Sequence, residues 1–426
     1  MAYFKVTGGV PLKGAVTVHG AKNSVLPILS AALLLRGESV IHNCPRLSDV
    51  ENTVRILRYL GADVKREGDT VTVNSEALTH TDIPESLMKE MRSSIIFLGA
   101  LAARCQTACV YLPGGCEIGL RPIDMHLEGL KALHYSVFFD GSNICLDGRN
   151  AQAGRVVLPF PSVGATENLI LSAVYLKGKT TIINAAREPE IEDLCQFLNA
   201  AGADIKGALT PVIEINGASL LQSAEHTVIP DRIEAATLMC AAAITRGEVM
   251  LRHICLRHLA PVISVFQQAG CDMRLDKTGV TVKADKRPKR VKHIETMTYP
   301  GFPTDCQAPV CAMLTTARGT SVITETVFEN RMMHVPQLCR FGADIAVRDR
   351  VAIISGVKTL HAADAVCTDL RGGAAVMLAA LAAEGASVIR NIHHIDRGYE
   401  NMEDTLNSIG ASVVRIKDEE EKNPKG

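Results

Sequence analysis

The sequence predicts an α/β protein of two inside-out α/β barrel domains, each made of three repeated units with buried helices and outer sheets. Three observations lead to this prediction. An apolar helix–turn–strand pattern occurs six times, a second helix–turn–strand pattern alternates with it, and the period is about 70 residues. Alternating helical and β-rich segments are typical of the α/β class. The first-pattern helices are apolar on nearly all sides, as expected of buried helices.

The first pattern consists of an apolar helical run, a turn and a β-rich run. Its copies include LPILSAALLLRGESVIHNC from Leu26 and VMLAALAAEGASVIRNI from Val376. We expect its turns at Gly37, Cys105, Gly178, Gly247, Gly319 and Gly385.

The second pattern consists of a more polar helical run, a small turn and another strand, as in VRILRYLGADVKR. Its turns are expected at Gly61, His134, Gly202, Gly270, Gly342 and Gly410. Glycine is the usual residue just after a helix because it enters the left-handed region without strain. His134 is a tolerable but poorer occupant of that position.

A further short strand follows the second pattern in the first five units but is missing from the sixth. The chain instead ends in a polar tail from about residue 417, while the N-terminus supplies an unassigned strand, YFKVTG. We therefore expect the N-terminal strand to pair with the last unit. The second domain then comprises residues 1–21 and 230–426, and the first domain comprises residues 22–229.

Composition argues against nucleic-acid and membrane partners. The 426 residues have a formal net charge of -1 and only 4% aromatic residues, so neither a basic surface nor base-stacking platforms are expected. The longest apolar stretch, Ala374 to Ala383, is too short to span a bilayer. The N-terminus has no signal-peptide layout, so we expect a cytosolic protein.

The 13 cysteines do not form a C-x-x-C pair, which argues against a disulfide framework or a zinc site. Most lie in apolar runs, where a free cysteine behaves as a small hydrophobic residue. Examples are Cys195, Cys240, Cys311 and Cys339. This usage fits a reducing compartment.

Two loop positions recur in every unit, and most of them hold charged residues. The loops before the second-pattern helices hold Arg46, Arg121, Arg187, Arg257, Arg331 and Arg397. The loops before the first-pattern helices hold Lys22-Asn23, Arg92-Ser93, Ala165-Thr166, Asp231-Arg232, Thr304-Asp305 and Asp369-Leu370-Arg371. If the units are equivalent in space, these loops and the helix N-termini line a cleft between the domains. Such a cleft suits a small, multiply charged anion.

One loop, LPGGCEIGLRP from Leu112 to Pro122, departs from the repeat and holds Cys116 among glycines. Positive charge near a thiol lowers its pKa and makes it reactive. A loop cysteine without a chemical role stays an equal alternative on the residues alone. The sequence has no P-loop and no strand-linked G-x-G-x-x-G, and its histidines lack companion ligands, so we expect no cofactor and no metal.

These motifs resemble the enolpyruvyl transferase family, and most closely its UDP-N-acetylglucosamine 1-carboxyvinyltransferases. The matching segments run in order from about Val6 to Arg415: HGAKNS, LPGGCEIGLRP, VGATEN, REPEIEDL, FPTD, TETVFENRMMHVP, TDLR and HIDRGYE. The family's fold has two inside-out α/β domains with threefold internal symmetry, which agrees with the repeats.

The resemblance implies an addition–elimination between phosphoenolpyruvate and the sugar 3′-hydroxyl of UDP-N-acetylglucosamine, with loss of phosphate. It implies that Cys116 donates a proton to the methylene carbon and that Asp305 accepts the hydroxyl proton. Lys22, Arg121 and Arg397 would hold the phosphate and carboxylate. The remaining implied site residues are Asn23, Arg92 and Val327 for the sugar, Arg121, Pro122, Ile123, Asp124, Met125, Ser162 and Val163 for the uridine diphosphate, and Arg331, Asp369 and Arg371 to complete the site.

Two further expectations follow from the resemblance. Domain closure would assemble the site, with the Cys116 loop as a mobile lid. Some members carry a lysine where this chain has Phe160, which puts that diphosphate contact in doubt.

Two other functions remain as alternatives. A 3-phosphoshikimate 1-carboxyvinyltransferase is expected to carry an LGNAGTAMR-like run, where this chain has KEMRSSIIFLGA. A non-catalytic UDP-sugar binding protein is expected to lack Cys116, Asp305 or Lys22, and all three are present.

Overall fold

The computed structural model describes residues 2–112, 123–277 and 279–417, and all elements below lie within these ranges. In chain order the strands are β1 (Ala2–Thr7), β2 (Lys13–Thr17), β3 (Glu38–His42), β4 (Asp63–Glu67), β5 (Thr70–Asn74), β6 (Asp82–Ile83), β7 (Thr107–Tyr111), β8 (Ser136–Asp140), β9 (Asn143–Asp147), β10 (Arg155–Val157), β11 (Lys179–Ile183), β12 (Asp204–Lys206), β13 (Val212–Asn216), β14 (Glu225–Thr227), β15 (Glu248–Arg252), β16 (Asp272–Leu275), β17 (Gly279–Lys283), β18 (His293–Glu295), β19 (Thr320–Thr324), β20 (Asp344–Arg348), β21 (Val351–Ser355), β22 (Asp364–Val366), β23 (Ala386–Arg390) and β24 (Ser412–Lys417). The α-helices are α1 (Lys22–Ala31), α2 (Ser48–Tyr59), α3 (Glu85–Met88), α4 (Phe97–Cys105), α5 (Asp124–Ala132), α6 (Val163–Ala173), α7 (Pro189–Ala200), α8 (Arg232–Ile244), α9 (Leu256–Gln268), α10 (Gln307–Leu314), α11 (Val335–Arg340), α12 (Leu370–Ala382), α13 (His393–Asp396) and α14 (Met402–Ser408). Three 3-10 helices are η1 (Ala32–Leu34), η2 (Arg92–Ile96) and η3 (Thr304–Cys306).

The strands pair into six separate four-stranded sheets of one plan. In the order β10-β11-β13-β12, the first pair is parallel and the next two pairs are antiparallel. The remaining sheets have the orders β14-β3-β5-β4, β6-β7-β9-β8, β16-β17-β15-β2, β18-β19-β21-β20 and β22-β23-β1-β24. Among the described residues no single sheet closes on itself, so each barrel of the prediction is a set of separate sheets around helices.

The N-terminal strand completes the sixth unit, as the sequence predicted. β1 lies between β23 and β24 and is antiparallel to both, with Phe4 opposite Ile389 and Arg415. In the other units this place belongs to the further short strand, which is β5, β9, β13, β17 or β21, while the strand after the second-pattern turn lies at the edge of the sheet. The missing strand of the last unit is therefore supplied from the other end of the chain.

The first-pattern helices lie inside and the sheets lie outside. All eight residues of α10 are buried, and in α8 only the first residue, Arg232, is not. These helices pack in two groups: α4 packs against both α1 and α6, and α8, α10 and α12 pack against one another. The predicted α/β class with buried helices is confirmed. In the described ranges no helix combines the length and apolar character that crossing a membrane requires.

The buried apolar side chains form two clusters. One runs from Ala21 to Val228, and the other joins Phe4–Val18 to Ile233–Val413. In the described part of the chain, no sheet combines strands from the two ranges. These observations support a first domain of residues 22–229 and a second of residues 1–21 and 230–426, and those boundaries stay a proposal.

The turn predictions hold for the second pattern and need two corrections in the first. All six second-pattern turns have positive φ, including His134 at 62°. In the first pattern the left-handed residues of the second and fourth units are Gln106 and Arg246, one residue away from the predicted Cys105 and Gly247. Gly247 is needed for a different reason, because a Cβ there would lie 2.0 Å from the Leu12 carbonyl oxygen.

The cysteines differ from expectation in two respects. Cys109 and Cys145 lie directly opposite each other on β7 and β9 and form a disulfide, although the sequence argued against disulfides. Cys339 is exposed, although its apolar surroundings in the sequence suggested burial. The reason is the same in both cases: the register and the helix face of a residue decide its neighbours, and residue spacing alone does not give them.

Candidate active site

Lys22 and Arg397, two of the predicted catalytic residues, meet on one buried carboxylate, Asp49. Lys22 Nζ lies 2.7 Å from Asp49 Oδ2. Arg397 donates from Nε to Asp49 Oδ1 at 3.0 Å and from Nη2 to Oδ2 at 3.4 Å. Lys22 begins α1, Asp49 lies in the first turn of α2, and Arg397 follows α13. We call these three residues the Asp49 cluster.

Burial and charge act against each other in the Asp49 cluster. For Lys22, burial is the largest effect and lowers the pKa below 10.5, Arg397 lowers it further, and Asp49 opposes both. For Asp49, burial raises the pKa, but the two cations outweigh burial and hold the pKa below its usual value. Asp49 is therefore ionised, and it is the group that most favours the charged form of Lys22.

Asp305, the predicted base, lies between two buried guanidinium groups. Arg331 donates from Nη2 to Asp305 Oδ1 at 2.8 Å. Arg371 donates from Nε and Nη2 to Oδ2 at 3.2 Å and 3.0 Å. The two arginines are 5% and 2% exposed. We call these three residues the Asp305 cluster. Arg371 of this cluster is close enough to Lys22 of the Asp49 cluster for its charge to lower the pKa of Lys22.

Two aspartates at helix starts connect the clusters to the backbone. Asp369 caps α12, and its Oδ1 accepts two N–H groups of the first turn at 3.0 Å, one of them from Arg371. Asp231 caps α8 in the same way, and its Oδ2 also accepts the N–H of Lys22 at 3.2 Å. An aspartate N-cap satisfies N–H groups that have no partner inside the helix. Asp369, predicted to complete the site, thereby fixes the start of the helix that carries Arg371.

The segments predicted to hold the uridine diphosphate begin two neighbouring helices. Ile123 caps α5, Asp124 and Met125 are its first residues, Ser162 caps α6, and Val163 begins α6. The two helix starts lie close together. A Cβ added to Gly164 in the first turn of α6 would lie only 3.3 Å from Cε1 of His126 in the first turn of α5. Helix starts present N–H groups and a positive dipole end. The arrangement therefore suits a diphosphate.

Some predicted site residues cannot be placed. Cys116, Arg121 and Pro122 lie outside the described residues, and so does the side chain of Arg92. Asn23 is exposed next to Lys22 at the start of α1. The roles of these residues stay predictions.

Glu325 organises the loop that holds Val327, a predicted sugar contact, and was missed from the sequence. It is 1% exposed and accepts the N–H of Val327 at 2.9 Å, as well as the hydroxyl of Thr304 at 2.9 Å. It thus links the predicted sugar contact, Val327, to the residue before Asp305. A buried acid with backbone partners has no spacing signal, although Glu325 lies within the matching segment TETVFENRMMHVP.

The repeated arginines do not all meet in one cleft. Arg331 and Arg397 belong to the two clusters. Arg257 lies inside α9 rather than in a loop, and its Nη2 donates to Glu192 at 2.8 Å. The backbone N–H of Arg46 donates to Glu400 Oε2 at 2.7 Å. Equivalence of the units in sequence therefore does not give every arginine the same partner.

The described residues contain no group of three or more His, Cys, Asp or Glu side chains arranged to hold a metal ion. The rings of His393 and His394 have centroids 4.2 Å apart and are tilted by 36°, and His253 Nδ1 lies 3.1 Å from the carbonyl oxygen of Val18.

Arg232 lies beside Glu190 and Glu188 where the two core clusters meet, and a third glutamate, Glu167, lies next to those two. Arg232 donates from Nε and Nη2 to the two oxygens of Glu190 at 2.9 Å and 3.2 Å. Burial, followed by the charges of Glu190 and Glu188, raises the pKa of Glu167 well above its usual value. Burial and Glu190 likewise raise the pKa of Glu188. The charge of Arg232 acts on Glu190 and Glu188, whereas burial and the two neighbouring carboxylates favour the neutral form of Glu167.

We expect Glu167→Gln to stabilise the protein at pH 8 more than at pH 5. The folded state raises the pKa of Glu167, so the contribution of this group to stability is lost as pH rises from about 4.5 through the folded pKa. Glutamine does not ionise, so the variant avoids that loss of stability. The loss is about 1.4 kcal/mol for each pH unit by which the folded-state pKa exceeds the unfolded-state pKa. Urea denaturation at both pH values measures the effect. The exposed Glu128→Gln serves as the control, and a gain that is equal at both pH values contradicts the prediction.

Comparisons with known proteins agree with the motifs. A family model described as EPSP synthase (3-phosphoshikimate 1-carboxyvinyltransferase) matches residues 6–406. A protein named UDP-N-acetylglucosamine 1-carboxyvinyltransferase 2 from Caldanaerobacter subterraneus subsp. tengcongensis is 48% identical, with 98% of this chain and 100% of that protein covered. A UDP-N-acetylglucosamine 1-carboxyvinyltransferase from Halothermothrix orenii is 44% identical, with 98% and 100% covered.

Solved structures give the same result for the fold. The enolpyruvyl transferase NikO from Streptomyces tendae superposes with a TM-score of 0.88 at 25% identity, with 97% of this chain and 98% of that chain covered. EPSP synthase from Acinetobacter baumannii superposes with a TM-score of 0.76 at 18% identity, with 98% and 100% covered, which shows the fold alone. The chain belongs to the EPSP synthase (3-phosphoshikimate 1-carboxyvinyltransferase) family of enolpyruvyl transferases, and within it to the UDP-N-acetylglucosamine 1-carboxyvinyltransferases.

Proposed function

We propose that the protein transfers the enolpyruvyl group of phosphoenolpyruvate to the 3′-hydroxyl of UDP-N-acetylglucosamine and releases phosphate. Relatives that are 43–48% identical over nearly the whole chain are named for this transfer. The structural observation that best supports the proposal is the pair of neighbouring cationic clusters, each built around one carboxylate. In peptidoglycan-forming bacteria this transfer is the first committed step of peptidoglycan synthesis.

The two clusters provide charge for a small anion. Lys22, Arg397, Arg331 and Arg371 supply four positive charges, and Asp49 and Asp305 supply two negative charges. The excess of cations over carboxylates in these contacts favours a phosphate and a carboxylate on one small molecule. Arg121 would add a further guanidinium. Phosphoenolpyruvate has the required groups.

The chemistry requires an acid and a base on different sides of the reacting carbon. Cys116 would protonate the methylene carbon, which makes the adjacent carbon electrophilic. The sugar oxygen attacks that carbon and gives up its proton to Asp305. Phosphate then leaves from the tetrahedral adduct while its methyl group returns a proton to the Cys116 thiolate, which re-forms the carbon–carbon double bond of the enolpyruvyl group. Arg331 and Arg371 orient the carboxylate of Asp305 toward this task.

The UDP-sugar would lie between the helix starts and the Asp305 cluster. The starts of α5 and α6 would hold the diphosphate through Asp124, Met125, Ser162 and Val163, and Asn23, Arg92 and Val327 would position the sugar. Phe160 is 41% exposed and offers no charge to the diphosphate.

A phosphate-release assay with two acceptors tests the proposal. We expect phosphate from phosphoenolpyruvate only when UDP-N-acetylglucosamine is present. Release with shikimate 3-phosphate instead would assign the other branch of the family. No release with either acceptor, together with intact UDP-sugar binding, would make this a binding protein. The resemblance also implies that Cys116 can form a covalent adduct with phosphoenolpyruvate, and peptide mapping after incubation with phosphoenolpyruvate tests for that adduct.

We also propose a cytoplasmic location, because a reaction of phosphoenolpyruvate with a nucleotide sugar needs a compartment that contains both. Ten of the described cysteines are free, in keeping with a reducing compartment, while Cys109 and Cys145 are paired.

A further inference from the structure

We infer that Asp49 is a positioning residue for the phosphoenolpyruvate site, because it holds Lys22 and Arg397 together so that one small anion can bind both. The inference rests on the proposed function, since it assigns Asp49 to the anion site of that reaction. It concerns a residue in the first turn of α2, which no motif singled out.

The geometry of Asp49 is that of a bridge between separate parts of the chain. Its side chain is 2% exposed, and both of its oxygens take part in ion pairs. Lys22 comes from the range of the first core cluster, and Arg397 comes from the range of the second. Asp49 therefore connects cations from the two proposed domains through a single carboxylate.

Lys22 and Arg397 would repel each other without this carboxylate. The charge of Arg397 already lowers the pKa of Lys22, and burial lowers it more. Asp49 takes one of the three N–H donors of the ammonium, so Lys22 can still bind a substrate oxygen. The Arg397 side chain is 35% exposed, which allows an incoming anion to reach it.

Asp49 also has a structural interpretation that the test must separate. An acidic residue in the first turn of a helix stabilises the helix through the macrodipole. That role predicts a loss of stability when the charge is removed. It does not predict a selective loss of phosphoenolpyruvate affinity or a change in a pH profile.

The test is the kinetics of Asp49→Asn. We expect the KM for phosphoenolpyruvate to rise about tenfold or more, while the dissociation constant for UDP-N-acetylglucosamine stays within about twofold of the wild-type value. The basic limb of kcat/KM for phosphoenolpyruvate should shift to lower pH, because Lys22 loses the group that raises its pKa. The charged groups facing Lys22 are Asp49, Arg397 and Arg371, with Asp231 at its backbone N–H.

Glu51→Gln is the matched control, because Glu51 lies on the same helix but is exposed and pairs with Arg66 at 2.7 Å. Asp49→Glu keeps the charge and should restore the position of the basic limb even if affinity is only partly recovered. Unchanged KM and pH limb in Asp49→Asn would overturn the inference.

A further measurement separates this inference from the proposed function. If the wild-type protein releases no phosphate, the proposed function fails, and calorimetric titration with phosphoenolpyruvate still tests Asp49. Weaker binding in Asp49→Asn than in Glu51→Gln supports the bridge, and equal binding rejects it. If Asp49→Asn does not fold, Asp49→Ser takes its place as the variant without the carboxylate, and an affinity for phosphoenolpyruvate equal to that of Glu51→Gln rejects the bridge.

Discussion

Asp305→Asn should lower kcat for enolpyruvyl transfer by about 10²–10⁴-fold, the usual contribution of a positioned general base. Asparagine has nearly the same shape, and its one oxygen can accept from either Arg331 or Arg371, but its amide NH2 group faces the other guanidinium and it cannot take the hydroxyl proton. The variant also leaves two buried guanidinium groups without their shared counter-ion. Steady-state phosphate release at saturating concentrations of both substrates measures the effect.

Two additional measurements make the Asp305 result specific. UDP-N-acetylglucosamine binding, followed by calorimetry, shows whether the variant still forms the site. Asp364→Asn is the matched control, because Asp364 pairs with Arg390 at 3.2 Å on the surface of the same part of the chain and should keep wild-type kcat. A kcat for Asp305→Asn within about threefold of wild type would exclude Asp305 as the base.

The repeats made the fold predictable from the sequence. Six copies of the same helix–turn–strand pattern gave six independent indications of where helices end, and the glycine or histidine at each second-pattern turn has the expected positive φ. The absence of one strand at the end of the chain and the presence of an unassigned strand at its start led to the correct place for β1. Local turn chemistry and a count of strands were sufficient for these conclusions.

The partners of the charged residues were much harder to predict. Motifs identified Lys22, Asp305 and Arg397, but Asp49 looked like any acid in the first turn of an amphipathic helix. Its importance depends on Arg397, 348 residues further along the chain. The pairing of Cys109 with Cys145 likewise depends on strand register, which residue spacing does not give.

The second large effect is expected from Arg232→Met. Arg232 makes a two-pronged ion pair with Glu190, and the two side chains are only 10% and 4% exposed. Methionine keeps much of the apolar volume but leaves Glu190 as a buried carboxylate beside Glu188 and Glu167. Removing one partner of a buried ion pair costs about 3–5 kcal/mol. We therefore expect a loss of that size in the free energy of unfolding at pH 8, measured by urea denaturation.

The pH dependence and the controls identify the cause of that loss. Arg232 lowers the pKa of Glu188, which burial and the charge of Glu190 raise, so removing Arg232 raises that folded-state pKa further. The stability that Glu188 contributes then falls as pH rises above about 4.5, and the loss should be smaller at pH 5 than at pH 8. Adding Glu190→Gln to the variant should recover part of the stability at pH 8, because the buried Glu190 carboxylate that lost its partner is then neutral.

Arg257→Met is the exposed control. It breaks the ion pair between Arg257 and Glu192, but the Arg257 side chain is 60% exposed, so at most about 1 kcal/mol should be lost. Equal losses in Arg232→Met and Arg257→Met would show that burial of the Arg232–Glu190 pair does not control stability where the two core clusters meet.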